Sequence, residues 1–230
     1  MKLVYISSPD NMESSENMEK TKAEALTACG DAYLFGRLAG EDIVPITPLV
    51  NFPYLNNQNP DVTADESKVR LLLLSKCDEM WVAGNKVSEN MRAEIRAAAR
   101  MGMPVLSMGM ESKKIQDATE DLQPLLDEKH CYKNSNKKDY TKQLLVLKPS
   151  MLAPWAKEPE NQLWIAENGF GVSPDASGRA VYATCLYDGE KARWNRADFI
   201  GIADPNKLPE WAADKLSEIR HEDDEEEVQQ

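Results

Sequence analysis

Five consecutive residues, Gly84-Asn85-Lys86-Val87-Ser88, join the apolar run Met80-Trp81-Val82-Ala83 to a stretch of good helix formers. A loop at the carboxyl end of a strand that feeds a helix N-terminus presents hydroxyls and backbone N–H groups suited to a sugar or a phosphate. A second such turn, Ser7-Ser8-Pro9, closes the run Leu3-Val4-Tyr5-Ile6. If both strands belong to one parallel sheet, the two turns open onto one crevice. Glu94 adds a carboxylate. On a helix over 88–101, turning about 100° per residue, Met91, Ile95 and Ala98 make the core stripe and Arg92, Arg96 and Arg100 a row on one shoulder. Glu94 falls on the other shoulder, one turn from Asn90, Met91, Ala97 and Ala98, so its own helix offers it no cation. A carboxylate beside apolar side chains, close to a cleft, is a candidate nucleophile or base. The plainer alternatives are a half-exposed surface glutamate and one paired with a lysine or arginine from elsewhere.

Other chemistries find little to work with. Cys29, Cys77, Cys131 and Cys185 lie about fifty residues apart, with no Cys/His ligand spacing, so neither a metal centre nor another cofactor is implied. Four such cysteines fit reduced thiols in a cytoplasmic protein. Of the two histidines, His221 opens an acidic tail and His130 lies in a polar stretch, which leaves carboxylates as the agents of any catalysis. The net charge is −12, of which residues 222–227 supply six, and no broad basic face is present. That argues against duplex nucleic acid and anionic membranes as partners. Mean hydropathy is −0.55, and no apolar run approaches the roughly 18 residues of a membrane span.

These residues need elements to position them. Strands are expected at 2–7, 43–46, 79–83 and 104–108, and helices at 15–39, 65–77 and 88–101. The first helix would turn Met18, Ala25, Cys29, Ala32 and Leu38 inward, and the second Val69, Leu72, Leu73 and Cys77. A Pro- and Asn-rich stretch, 47–61, reads as a loop. Alternating strands and helices predict an α/β domain over 1–110, a Rossmann-like parallel sheet with crossover helices. Residues 111–128 are expected to be helical within a polar linker over 111–143 that is rich in lysine after 132. A small α+β module over 144–220 follows, with strands at 144–147 and 181–186, a hairpin turn at Asp188-Gly189, a strand ending at 199–202, and a helix over 208–220. Arg179, Arg193 and Arg196 are read as a solvated hairpin face, and the tail 221–230 as disordered.

Tyr5-Ile6-Ser7-Ser8-Pro9, the Cys77-Asp78 opening of the third strand and the spacing Gly84-x3-Ser88-x2-Met91-x2-Glu94 together resemble the nucleoside 2-deoxyribosyltransferase superfamily. The nearer likeness is to its branch in phages and mobile elements, over residues 1 to about 108. The resemblance implies that Glu94 attacks the anomeric carbon of a nucleoside, as in a retaining glycosidase. Ser7, Ser8, Pro9, Gly84, Ser88 and Met91 would then line the ligand site. It also implies a site shared with a neighbouring subunit, hence a homo-oligomer. Three positions depart from the pattern. Ser88 and Arg70 stand where the transferases carry aspartates, and Asn90 where the mobile-element branch has a glycine. Without those aspartates the leaving base lacks its usual proton donor. The second module resembles segments attached to mobile-element proteins of gut bacteria.

Three readings stay open at this stage: a transferase or hydrolase acting at the N-glycosidic bond of a nucleoside or nucleotide, a non-catalytic nucleotide sensor, and a mobile-element interaction protein. Glu94→Ala is expected to stop base release without harming the fold, and a cut near residue 140 to yield two folded pieces.

Overall fold

A computed structural model gives the architecture over residues 1–9, 15–52, 60–120 and 122–228, without the side chains of 15, 60–65 and 220–228. Expectations that fall on 10–14, 53–59, 121, 229–230 and the tail side chains lie outside the described residues. Two units emerge: Met1–Leu122 with Pro154–Ala156, and Gln123–Ala153 with Lys157–Gln230.

In the first unit, strands β1 (Lys2–Ser7), β2 (Ile43–Ile46), β3 (Glu79–Ala83) and β4 (Val105–Met108) form a parallel sheet in the order β2-β1-β3-β4. Helix α1 (Ser15–Ala39) links β1 to β2, α3 (Pro60–Leu74) precedes β3, and α4 (Glu89–Met101) links β3 to β4. This is the expected α/β domain with a parallel sheet. Strand alternation divides β1 between two cores. Val4 and Ile6 pack with Ala28 and Ala32 of α1, whereas Tyr5 packs with Met91 and Ile95 of α4. At the amino ends, the Leu3 N–H donates to Asp78 Oδ2 at 2.7 Å and the Asp78 N–H to the Leu3 carbonyl at 2.8 Å. Asp78 therefore locks the register of β1 and β3 at the end of the sheet away from Ser7.

Several elements differ from expectation. The stretch read as a loop over 47–61 contains α2 (Pro48–Asn51) and the start of α3, because proline is well tolerated in a helix's first turn. Helix α1 buries Thr21, Ala25, Ala28 and Ala32, while Leu38 stands 89% exposed. Helix α3 buries Arg70 and Leu74 and exposes Leu72, while Leu73 and Cys77 face the core as expected, so its inward stripe is only partly the one expected. Among the described residues of 111–128, the α-helix is the short α5 (Ser112–Asp117), followed by a turn over 118–120.

The second unit is a five-stranded antiparallel sheet, β8-β7-β6-β5-β9, built from β5 (Leu144–Leu147), β6 (Leu163–Asn168), β7 (Ala180–Cys185), β8 (Lys191–Asn195) and β9 (Phe199–Ile202). Asp188-Gly189 turns the β7–β8 hairpin as expected, and β6 is a strand the sequence pattern did not reveal. Helix α6 (Glu210–Val228) runs past the expected end at residue 220. The stretch read as a linker belongs to this unit from Gln123 onward: Leu126, Cys131, Ser135 and Tyr140 are buried in it. Arg196 is not on a solvated face. It stacks 3.8 Å over the Tyr140 ring and donates to the carbonyls of Gly171, Val172, Asn136 and Lys138, which is how a buried guanidinium satisfies its fork of donors.

Candidate functional site

Strand order reverses direction between β1 and β3, the place where an open parallel sheet leaves a crevice at its carboxyl ends. Register pairs Ser7 with Val82, so Ser8-Pro9 and Gly84 leave the sheet side by side. Gly84 has φ +91°, and a Cβ there would sit 2.6 Å from Pro9 Cδ, so both the backbone conformation and the close approach require glycine. Ser88 caps α4 by accepting the Met91 N–H at 3.3 Å. An open groove of about 980 Å³ runs here, lined by Ser8, Pro9, the 84–88 loop and one side of α1 that includes Lys20, Glu24 and Asp31. Ser8 Oγ is buried without a hydrogen-bond partner. Thr47 Oγ1, at the carboxyl end of β2, is buried and unpartnered too. Buried hydroxyls in that state call for water or a ligand.

Glu94 lies on the α4 side of the sheet, at the carboxyl end of β1, where Ser7 precedes the groove-lining Ser8. It is 3% exposed, and hydroxyls hold both carboxylate oxygens: Tyr5 Oη donates to Oε1 at 2.6 Å and Ser7 Oγ to Oε2 at 2.5 Å. Tyr5 and Ser7 are two apart on β1 and so share a face. Arg70 Nη1 sits 3.6 Å from Glu94 Oε1, while Nε and Nη2 of the same guanidinium grip Glu66 Oε1 at 2.9 and 2.5 Å. Glu94 is therefore neither half-exposed nor without a cation; its cation comes from α3. Burial, together with the Glu94 charge and its hydrogen bond, raises the Tyr5 phenol well above its ordinary range, so it stays protonated and donates. Burial is the largest single influence and works against the Arg70 charge, but Glu94, Tyr5 and Glu66 together outweigh it, and the guanidinium is held cationic. The cluster thus fixes and orients the Glu94 carboxyl group.

Of the residues the sequence singled out, Ser8, Pro9, Gly84 and Ser88 meet in the groove. Ser7 joins Glu94 instead, and Met91 is buried in the core between α4 and the sheet, contributing only its N–H to Ser88. Tyr5, Arg70 and Glu66 were missed. The i, i+4 spacing of Glu66 and Arg70 was legible, but it reads equally well as a surface pair. The cysteines offer no nucleophile: burial pushes all four thiols up to about 11. His130 takes part in a local turn, with Nδ1 2.9 Å from Asp127 Oδ1.

Residues 2–108 match the family described as Domain of unknown function (DUF7768). The matched segment spans β1 to the end of β4 and so contains the whole parallel sheet, the 84–88 loop and the Glu94 cluster. No curated protein and no solved structure matches the chain.

Proposed function

We propose that the first unit, taken as a Rossmann-like domain, binds a nucleoside or nucleotide in the groove and acts on its N-glycosidic bond through Glu94. The observation that carries this reading is the pair Ser7-Ser8. Strand β1 ends at Ser7, whose hydroxyl grips the Glu94 carboxylate, and the next residue, Ser8, has left the strand and lines the groove. In the proposed step a Glu94 oxygen bonds to the anomeric carbon as the carbon–nitrogen bond breaks. The electron pair leaves with the base, which takes a proton from solvent, and water or a second base then displaces the glutamyl ester. Tyr5 and Ser7 orient the carboxylate, and Arg70 stands 3.6 Å from one of its oxygens. The likeness of residues 1–108 to the nucleoside 2-deoxyribosyltransferase superfamily supports the same assignment, and the four free thiols fit a cytoplasmic setting.

One observation favours a second reading, nucleotide sensing without turnover. Glu94 is almost fully buried and partly neutralised by Arg70, and it is not among the groove-lining residues. Incubation with nucleosides, deoxynucleotides and NAD, followed by chromatography for released base, separates the two. Base release that disappears in Glu94→Gln, with a glycosyl adduct on the wild-type chain by intact mass, is the expected result. A ligand that raises the melting temperature with no base released assigns the domain to sensing.

A further inference from the structure

Helix α1 exposes an apolar face that nothing in its own unit explains. The buried side of the helix is Thr21, Ala25, Ala28 and Ala32. On the opposite side, where a surface helix carries charges, stand Leu26, Gly30, Tyr33, Leu34 and Leu38, with the four large side chains 50% to 89% exposed. Phe35 is also exposed, but its ring meets Trp81 edge-on at 5.6 Å, so it belongs to the sheet side. Gly30 is the second anomaly. It lies inside a 25-residue helix, where glycine costs roughly 1 kcal/mol against alanine. A Cβ there would meet nothing within 4 Å, so no packing within the chain requires its absence.

We propose that this face is covered by the same face of a second copy, the two α1 helices crossing antiparallel about a two-fold axis at Gly30. The sequence is self-complementary about that point. Leu26 and Leu34 lie four residues to either side, so each leucine of one helix falls against the other leucine of its partner. An isologous contact has this property, because the same patch must serve both partners. The missing Cβ lets the backbones approach on the axis. Charge agrees with the register. Arg37, the one charged side chain on the crossing face beyond Gly30, falls opposite position 23 of the partner. That is within a turn of the partner's Glu19, which is exposed and in its own helix also pairs with Lys22 at 3.2 Å; the two-fold axis makes that approach twice. Ala23 and Thr27, seven and three residues before Gly30, lie on this same face and also line the groove, so the second copy would form part of the groove's wall.

Light scattering on the full chain after size exclusion tests the proposal. The expected mass is twice 25.8 kDa. Leu26→Glu with Leu34→Glu is expected to leave the melting curve of the monomer unchanged, since both side chains are exposed, and to weaken dimerisation more than about 100-fold. Arg37→Glu is expected to weaken the dimer and Glu19→Lys on the same chain to restore it. Gly30→Cys should cross-link under mild oxidation, whereas Lys113→Cys should not. A wild-type chain that stays monomeric at tens of micromolar overturns the proposal. So does a dimer that survives the double glutamate variant, or one in which Gly30→Cys fails to cross-link.

Discussion

Glu94 and Arg70 form a charged pair inside a protein interior, and such pairs are costly to break from one side. Removing one partner of a buried ion pair typically costs about 3–5 kcal/mol, because the other charge stays behind. Arg70→Met, which leaves Glu66 and Glu94 facing each other, is expected to lose that much in urea denaturation. Glu94→Ala is expected to be nearly as harmful, contrary to the tolerance a helix shoulder suggests, since it takes one of the two carboxylates from Arg70, leaves a void and unpairs two hydroxyls. Glu94→Gln keeps the volume and an acceptor and should cost only roughly 1–3 kcal/mol, so it is the better variant for kinetics. Tyr5 supplies a pH signature. Its phenol ionises above the ordinary 10, so its stabilising contribution is complete below pH 10 and is lost as pH rises beyond it. The wild-type melting temperature should therefore fall more steeply above pH 10 than that of Tyr5→Phe, and parallel curves would remove Tyr5 from the cluster.

Two devices at the ends of elements build the groove. Ser88 satisfies an orphan N–H of α4, and Ser88→Ala should cost roughly 1 kcal/mol by the usual worth of an N-cap. An unchanged midpoint in denaturant would place the functional start of α4 elsewhere. Gly84 lets the loop turn against Pro9. Gly84→Ala must relieve both a positive φ and a 2.6 Å approach, so a loss of more than about 1 kcal/mol is expected, together with weaker ligand-induced stabilisation. The expected inward stripe of α3 missed the burial of Arg70 because helical periodicity weighs apolar side chains. Arg70 enters the interior through its ion pairs, which no hydropathy pattern registers.

The whole chain divides earlier than its polar texture suggests. Tyr140 and the carbonyls of Asn136 and Lys138 belong to the second unit through Arg196, so a cut near residue 140 severs that unit instead of separating two. A fragment of residues 123–230 is expected to melt cooperatively by calorimetry and one of 141–230 to aggregate; cooperative melting of the shorter piece would show that the Arg196 contacts are dispensable. The parallel sheet, the cap at Ser88, the glycine of the 84–88 loop and the hairpin at Asp188-Gly189 were all legible in the sequence, because each is a local matter of side-chain period or backbone conformation. Only the tertiary structure decided that Ser7 binds Glu94 while Ser8 lines the groove, that Arg70 reaches Glu94 from another helix, and that Leu126, Cys131, Ser135 and Tyr140 carry the stretch 123–143 into the second unit. Those facts depend on which face of one element meets which face of another. Burial and ion pairing across the fold set that choice, and spacing along a single segment does not encode it.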